Sequence, residues 1–229
     1  MIRNILIPFF RSYGYHSFLM LGALSMFLLL LLRRRQYGLS KVKAMLFCGL
    51  LLGCGIAGAK LLYFLESGGS SFSGMSFFGS VFLVPIAMPL IGNIMGIDAG
   101  KVPDLCAPCV ASIISFMRFG CFCGGCCGGT YSSSGFRWPT QLMEGFGDLL
   151  ILFGLLYVEG KGKQGTLYPI FLVGYGVLRF FVEFLRDTSK NIFGFSNGQL
   201  FAIAAVIVGI LFLLRIHISE VSNNGKKTA

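Results

Sequence analysis

TLYPIFLVGYGVLRFFVEFLRD, residues 166–187, decides the fold class. A bilayer-spanning helix needs about 20 mostly apolar residues, and this segment is long and apolar enough to supply them. Yet it carries Arg179, Glu183 and Arg186, spaced i, i+4 and i+7. At 3.6 residues per turn that spacing forms one stripe. An ionisable side chain at the bilayer centre costs at least ~2.5–3.5 kcal/mol on insertion scales. Such a residue persists only with a partner, a wet cavity or a substrate. The stretch therefore predicts a membrane helix that carries part of a polar site.

The same pattern repeats along the chain. Seven segments are long and apolar enough to span, over residues 13–32, 44–65, 77–97, 104–120, 141–158, 166–185 and 198–216. The third, interrupted by Pro85, Pro89 and several glycines, and the short fourth are the weakest fits. Of 229 residues, 55% are hydrophobic and 12% charged, about half the charged fraction of a soluble domain. No run alternates apolar and polar residues at period two, which excludes a β-barrel. The expected class is an all-α membrane protein, a polytopic bundle of about seven transmembrane helices. No linker or repeat divides it, so residues 1–229 read as a single integral membrane domain, with a monomer as the default.

The net charge of +10 sorts by topology. With the N-terminus outside and the C-terminus cytoplasmic, the inner side receives eleven basic residues, headed by Arg33, Arg34 and Arg35. The outer side receives five: Arg3, Arg11, Arg137, Arg186 and Lys190. This follows the positive-inside rule, and the flipped orientation violates it. The charge is thus used for orientation and for anionic lipid, and nucleic acid is excluded as a partner. No small-residue cleavage site follows the first apolar run, so a cleavable signal peptide is not expected. Residues 1–12 read as an interfacial lead-in, and the polar tail, about 219–229, as disordered.

In this topology the ionisable residues of the spans converge. Lys60, Arg118, Glu144, Asp148, Arg179 and Glu183 all fall in the outer half, with Tyr13 and His16 at the start of the first span. Glu144 and Asp148, four apart, share a helix face. Plain interhelical ion pairing and snorkelling are the bland alternative, strongest for Lys60 and Asp148.

Between these spans lies RFGCFCGGCCGGTYSSSGFRWPTQLMEG, residues 118–145. It reads as a Gly/Cys-rich outer loop over about 120–137. Gly-rich main chain approaches ligands closely and offers N–H groups to an anion. Arg118 and Arg137 flank it, and guanidinium suits phosphate. A phospholipid headgroup is the ligand this combination predicts.

Cys106-x-x-Cys109 and Cys123-x-x-Cys126 copy a zinc spacing. If residues 106–123 are helical, the pairs lie roughly 20 Å apart at ~1.5 Å per residue and cannot share one ion. The outer group Cys121, Cys123, Cys126 and Cys127 leaves a metal, a disulfide or simple packing open. Packing is the expectation, with no metal and no cofactor. Cys48 and Cys54 read as buried apolar residues.

These residues together resemble the prolipoprotein diacylglyceryl transferase family. RFGCF at 118–122 with the glycines after it is similar to that family's signature loop. WPTQLMEG at 138–145 looks like its His-Pro-(Ser/Thr)-Gln-Leu-Tyr-Glu element, and GYGVLRFFVEFLRD at 174–187 its late Arg/Glu/Arg stretch. Tyr13-Gly14, RRRQYGLS at 33–40, GAKLLYFL at 58–65, DLCAP at 104–108 and Gly198-Gln199 follow in family order. The resemblance implies transfer of a diacylglyceryl group from phosphatidylglycerol to the lipobox cysteine thiol of a prolipoprotein, in the bacterial cytoplasmic membrane. It implies catalytic roles for Arg118, Arg179, Glu183 and Tyr13. It implies substrate contacts from Arg118, Arg179, Arg186, Glu144, Gln141 and Gly125. The chain departs from the family pattern at GMSFFGS, 74–80, where Phe78 stands at a His position, and His16 is the candidate substitute base. A lipid-binding homologue without turnover, and a small redox or transport protein built on the Cys loop, are the alternative readings.

Overall fold

The computed structural model describes residues 2–71, 74, 76–98, 100–188 and 194–227. Lys190 of the charge count, Met75 of the 74–80 stretch and the last two residues of the tail lie outside the described residues. Seven helices follow in order: α1 (Ile2–Arg33), α2 (Lys41–Glu66), α3 (Phe77–Met95), α4 (Val102–Gly124), α5 (Thr140–Val158), α6 (Leu167–Glu183) and α7 (Asn197–Lys227). Among the described residues there is no strand, only isolated bridges at Gly129–Arg186 and Tyr131–Arg137. The all-helical membrane class read from the sequence holds. Among the described residues, five helices are long and apolar enough to cross a bilayer, over Tyr13–Arg33, Lys41–Glu66, Val102–Gly124, Thr140–Val158 and Asn197–Ser219. The two that fall short are α3 and α6, the latter 17 residues long. The fourth span, expected to be weak, is a full 23-residue helix.

The chain divides into two compact units, residues 27–106 and residues 1–26 with 107–229. In the first, α2 packs on α3. Gly58 and Gly79 meet backbone to backbone, so close that neither position admits a β-carbon. Ser80 reaches across to donate to the Gly55 carbonyl at 2.6 Å. Arg33 at the end of α1 is 5% exposed and donates to the carbonyls of Asp104 (2.8 Å) and Leu105 (2.9 Å). Lys43 donates to the Met95 carbonyl at the end of α3 (2.8 Å), where a cation suits the helix dipole. Lys60 sits half-buried on α2 of this unit.

The second unit holds α1 up to Met26 with most of α4, and α5, α6 and α7. Ser25 and Ser112 join α1 to α4 by a 2.6 Å hydrogen bond. Ser115 ties α4 to α5 by donating to the Gly145 carbonyl at 2.8 Å. α6 packs on both α5 and α7. Its contact with α7 depends on small residues: a β-carbon on Gly176 would lie 2.7 Å from the Ala202 carbonyl. Close backbone approach of this kind is the usual glue between helices in lipid.

Two boundaries differ from the sequence reading. The segment taken as loop from residue 120 is still helix through Gly124. Gly120 admits α1 there: a β-carbon on it would lie 3.1 Å from the Tyr15 carbonyl. The tail expected to be disordered continues α7 to Lys227, with no proline between 198 and 227 to end it.

Candidate active site

Glu144, on the second turn of α5, is the hub of the polar centre, and no part of it is exposed. Arg118, near the end of α4, places Nε 2.5 Å from its Oε2. Arg179 on α6 pairs with Oε1. Arg186, just past α6, brings Nη1 to the same oxygen at 3.4 Å. The second carboxylate, Glu183, takes Arg179 Nη2 at 2.8 Å and Arg186 Nε at 3.4 Å on its Oε2. The three helix ends lie together because α4 and α6 finish where α5 starts. Arg179 and Glu183 share one face of α6, and Arg186 reaches the same carboxylates from the turn beyond the helix end.

Three guanidiniums meet two carboxylates here. Arg118 and Arg179 are 5% and 6% exposed and Glu183 2%. Removing one member of such a buried set leaves uncompensated charge, which costs roughly 3–5 kcal/mol. Asp148, one turn further along α5, is also fully buried, within electrostatic reach of Arg118, Arg179 and Glu144. Neither of its oxygens accepts a hydrogen bond among the described residues.

Partners that the sequence reading missed hold Glu183 from the other side. Ser196 and Thr188 donate to its Oε1 at 2.8 and 3.1 Å. Ser196 also starts α7. Its Oγ accepts from Gln199 N–H (3.2 Å), while Gln199 Oε1 accepts from Ser196 N–H (3.1 Å). That reciprocal pair is a capping box, and Ser-x-x-Gln ahead of an apolar run was its legible signal.

The sequence reading expected the Gly-rich segment after α4 to offer its amides to an anion, but those of Gly125, Cys126, Gly129 and Thr130 are taken by main-chain carbonyls. Gly129 N–H donates to Trp138 O (3.0 Å), Trp138 N–H to Thr130 O (3.1 Å), and Thr130 N–H to Leu185 O (2.8 Å). Gly125 N–H donates to Phe122 O (3.1 Å), with φ +71° turning the chain out of the helix. Arg137 lies apart from the charge cluster, donating to Gly129 O (3.0 Å) and covering the Tyr131 ring. Gln141, 5% exposed, donates to the Cys126 carbonyl at 2.5 Å. Tyr13 stands on α1, 60% exposed. His16, also exposed, sets its ring edge-on to Tyr15 at 5.6 Å.

All eight cysteines are free. Cys123 packs against α1, where a β-carbon on Gly14 would come within 2.9 Å of its Cβ. Cys121, Cys126 and Cys127 converge, their sulfurs all within 4.8 Å of one another. The Cys127 thiol is pulled down to about 5, chiefly by the hydrogen bond from the Cys121 thiol, with Arg186 and Arg118 adding positive charge against the effect of burial. Burial pushes the Cys126 thiol up, and the neighbouring Cys127 adds to it.

A helical membrane protein with a buried cluster of guanidiniums and carboxylates at one end of its helices is equipped to handle an anionic group within the bilayer. The chain belongs to the prolipoprotein diacylglyceryl transferase family, whose pattern it matches over residues 4–215. It is 31% identical over 229 residues to a phosphatidylglycerol–prolipoprotein diacylglyceryl transferase of Clostridium tetani, covering 87% of this chain and 91% of that one. A second such transferase from Clostridium perfringens is 29% identical, over 88% of this chain and 90% of its own. One from Chlorobaculum tepidum is 31% identical over 69% and 62%. The chain is accordingly a membrane transferase of lipoprotein biosynthesis.

Proposed function

We propose that the protein transfers the diacylglyceryl group of phosphatidylglycerol to the thiol of a lipobox cysteine in a prolipoprotein, at the outer face of the bacterial cytoplasmic membrane. The observation that carries this is the convergence of three guanidiniums, Arg118, Arg179 and Arg186, on Glu144 and Glu183 at one buried site. Guanidiniums suit the single phosphodiester that phosphatidylglycerol carries. Arg118 and Arg179, held by the carboxylates, meet the phosphate without first having to be oriented.

In the reaction the substrate sulfur attacks the glyceryl carbon. A C–S bond forms, a C–O bond breaks, and glycerol phosphate leaves with the bonding pair. Charge on the phosphate rises from one towards two, so the guanidiniums bind the transition state more tightly than the ground state. Glu144 and Glu183 position the arginines; Gln141 and Gly125 shape the loop beside them. The thiol must lose its proton, because thiolate is the nucleophile. His16, on the first turn after Tyr13, is the proposed acceptor, and Tyr13 is the proposed contact for the incoming substrate. The N-terminus lies outside, the C-terminus in the cytoplasm, and one chain suffices.

The test is direct. Purified protein given phosphatidylglycerol vesicles and a lipobox peptide should yield the thioether-linked peptide and glycerol phosphate, and Arg118→Ala should abolish the product. Phe78, standing at the family's His position, favours a second reading in which the protein binds lipid without turnover. Retention of phosphatidylglycerol with no thioether product would establish that reading and end the first.

A further inference from the structure

We propose that Cys121, Cys126 and Cys127 form a binding site for one soft, thiophilic cation, Cu(I) in preference to Zn(II). The three sulfurs lie within 4.8 Å of one another. An ion in their plane at the usual ~2.3 Å metal–sulfur distance needs them about 4 Å apart. Only a small contraction separates the observed cluster from a trigonal shell.

The scaffold fixes the cluster from three directions. Cys121 is held in the last turn of α4. The chain then turns back, so that Cys126 N–H donates to the Cys121 carbonyl at 3.1 Å. Gln141 grips the Cys126 carbonyl (2.5 Å) and Thr140 grips that of Cys127 (3.1 Å). Both gripping residues are buried, at 5% and 0% exposure. Cys127 itself is held at φ +58°, the one left-handed non-glycine residue among those described. A side chain in that region is strained, and strain of this sort collects where a site requires a particular geometry. Here the left-handed turn brings a third sulfur onto two others. Simple packing would not need it, since Cys126 and Cys127 are exposed.

The donor set selects the ion. Three sulfurs with no imidazole or carboxylate favour soft metals. Cys127 lies beside the guanidiniums of Arg186 and Arg118. Zn(II) would need a fourth ligand to complete its tetrahedron. On binding, each thiol that is still protonated releases its proton to solvent, and no electron is exchanged. Cys126 and Cys127 leave the ion an open approach.

The site adjoins the charge cluster through Arg186, which reaches both Cys127 and the two glutamates. Occupancy is therefore expected to slow transfer. That consequence rests on the transferase reading; the binding itself does not.

The experiment uses the full chain, reduced and anaerobic in detergent, titrated with Cu(I) against a bicinchoninate competitor and separately with Zn(II). One Cu(I) per chain is expected, with affinity falling in Cys126→Ser and in Cys127→Ser by more than the roughly 10–100-fold that losing an outer-shell partner costs. Cys123→Ser should bind as wild type, and near-ultraviolet circular dichroism should report an unchanged fold in each variant. Cu(I) binding that survives the triple serine replacement of Cys121, Cys126 and Cys127 would overturn the proposal. So would Zn(II) binding more tightly than Cu(I), or a thiol count showing two of the three joined as a disulfide in protein purified without reductant. Lipid-transfer activity is measured on the same samples, so absent turnover with intact Cu(I) binding counts against the transferase reading alone.

Discussion

Gly198 lies against the carboxylate of Glu183 so closely that a β-carbon there would fall 2.6 Å from Oε1. The first turn of α7 is thus a wall of the charge cluster. Gly198→Ala should push the carboxylate off Arg179 and Arg186. A displacement of about 1 Å near reacting groups costs up to about 100-fold in rate. The transfer assay should show that loss mainly in kcat, with protein still folded by circular dichroism. Unchanged kcat would mean the position of Glu183 does not matter.

Glu144 touches three arginines, and its replacement tests the electrostatics of the centre. Glu144→Ala leaves buried guanidiniums with one carboxylate among three, and should destabilise by roughly 3–5 kcal/mol. Thermal unfolding in detergent measures this. Glu144→Gln keeps the shape but not the charge. Its melting point should fall between those of alanine variant and wild type.

Ser196 both caps α7 and donates to Glu183. Ser196→Ala should cost about 0.5–2 kcal/mol for the lost cap. It should also lower kcat, since Glu183 loses one of its two donors on Oε1. Ser196→Thr keeps the hydroxyl and should restore both. A variant that loses stability while keeping its rate would show that Ser196 serves the helix alone.

The Cys127 thiol, held at about 5, predicts a pH dependence. The depressed value means that thiolate dominates above pH 5 and that its favourable contacts, complete above the ordinary thiol range, are lost as pH falls through 5. Iodoacetamide labelling followed by mass spectrometry should therefore keep modifying Cys127 at pH 6, where Cys126 is almost unreactive. Arg186→Gln removes a positive charge and should shift the Cys127 profile upward. Equal labelling of the two thiols at pH 6 would contradict the assignment.

The charge cluster was legible in the sequence because helical spacing is a local property. Arg179 and Glu183 fall on one stripe whatever surrounds them, Arg186 follows from the turn just after it, and Glu144 and Arg118 join them once the helices alternate in direction. What was not legible depended on tertiary contact. Gly120 has the look of a loop residue, and only the approach of α1 through Tyr15 explains it as helix. The Gly-rich run suggested open amides, but Trp138 and Leu185 supply carbonyls for Gly129 and Thr130 that a linear reading does not bring near. Ser196 was within reach, since Ser-x-x-Gln precedes an apolar run. Its second bond, to Glu183, joins residues whose meeting only the folded chain reveals. The convergence of three cysteines depends on a left-handed turn at Cys127, which no residue preference announces.

The stitching of Gly129 and Thr130 to Trp138 and Leu185 also sets where this chain tolerates a change in length. Between those stitches only the tip remains, where Ser132 N–H donates to Phe136 O and Gly135 N–H to Ser132 O. An insertion at residues 133–135 would lengthen an exposed turn. One placed at 127–131 would instead break the register with residues 185 and 186 and carry Arg186 away from both glutamates. Length variation among functioning versions of this loop should therefore be confined to its outermost few residues.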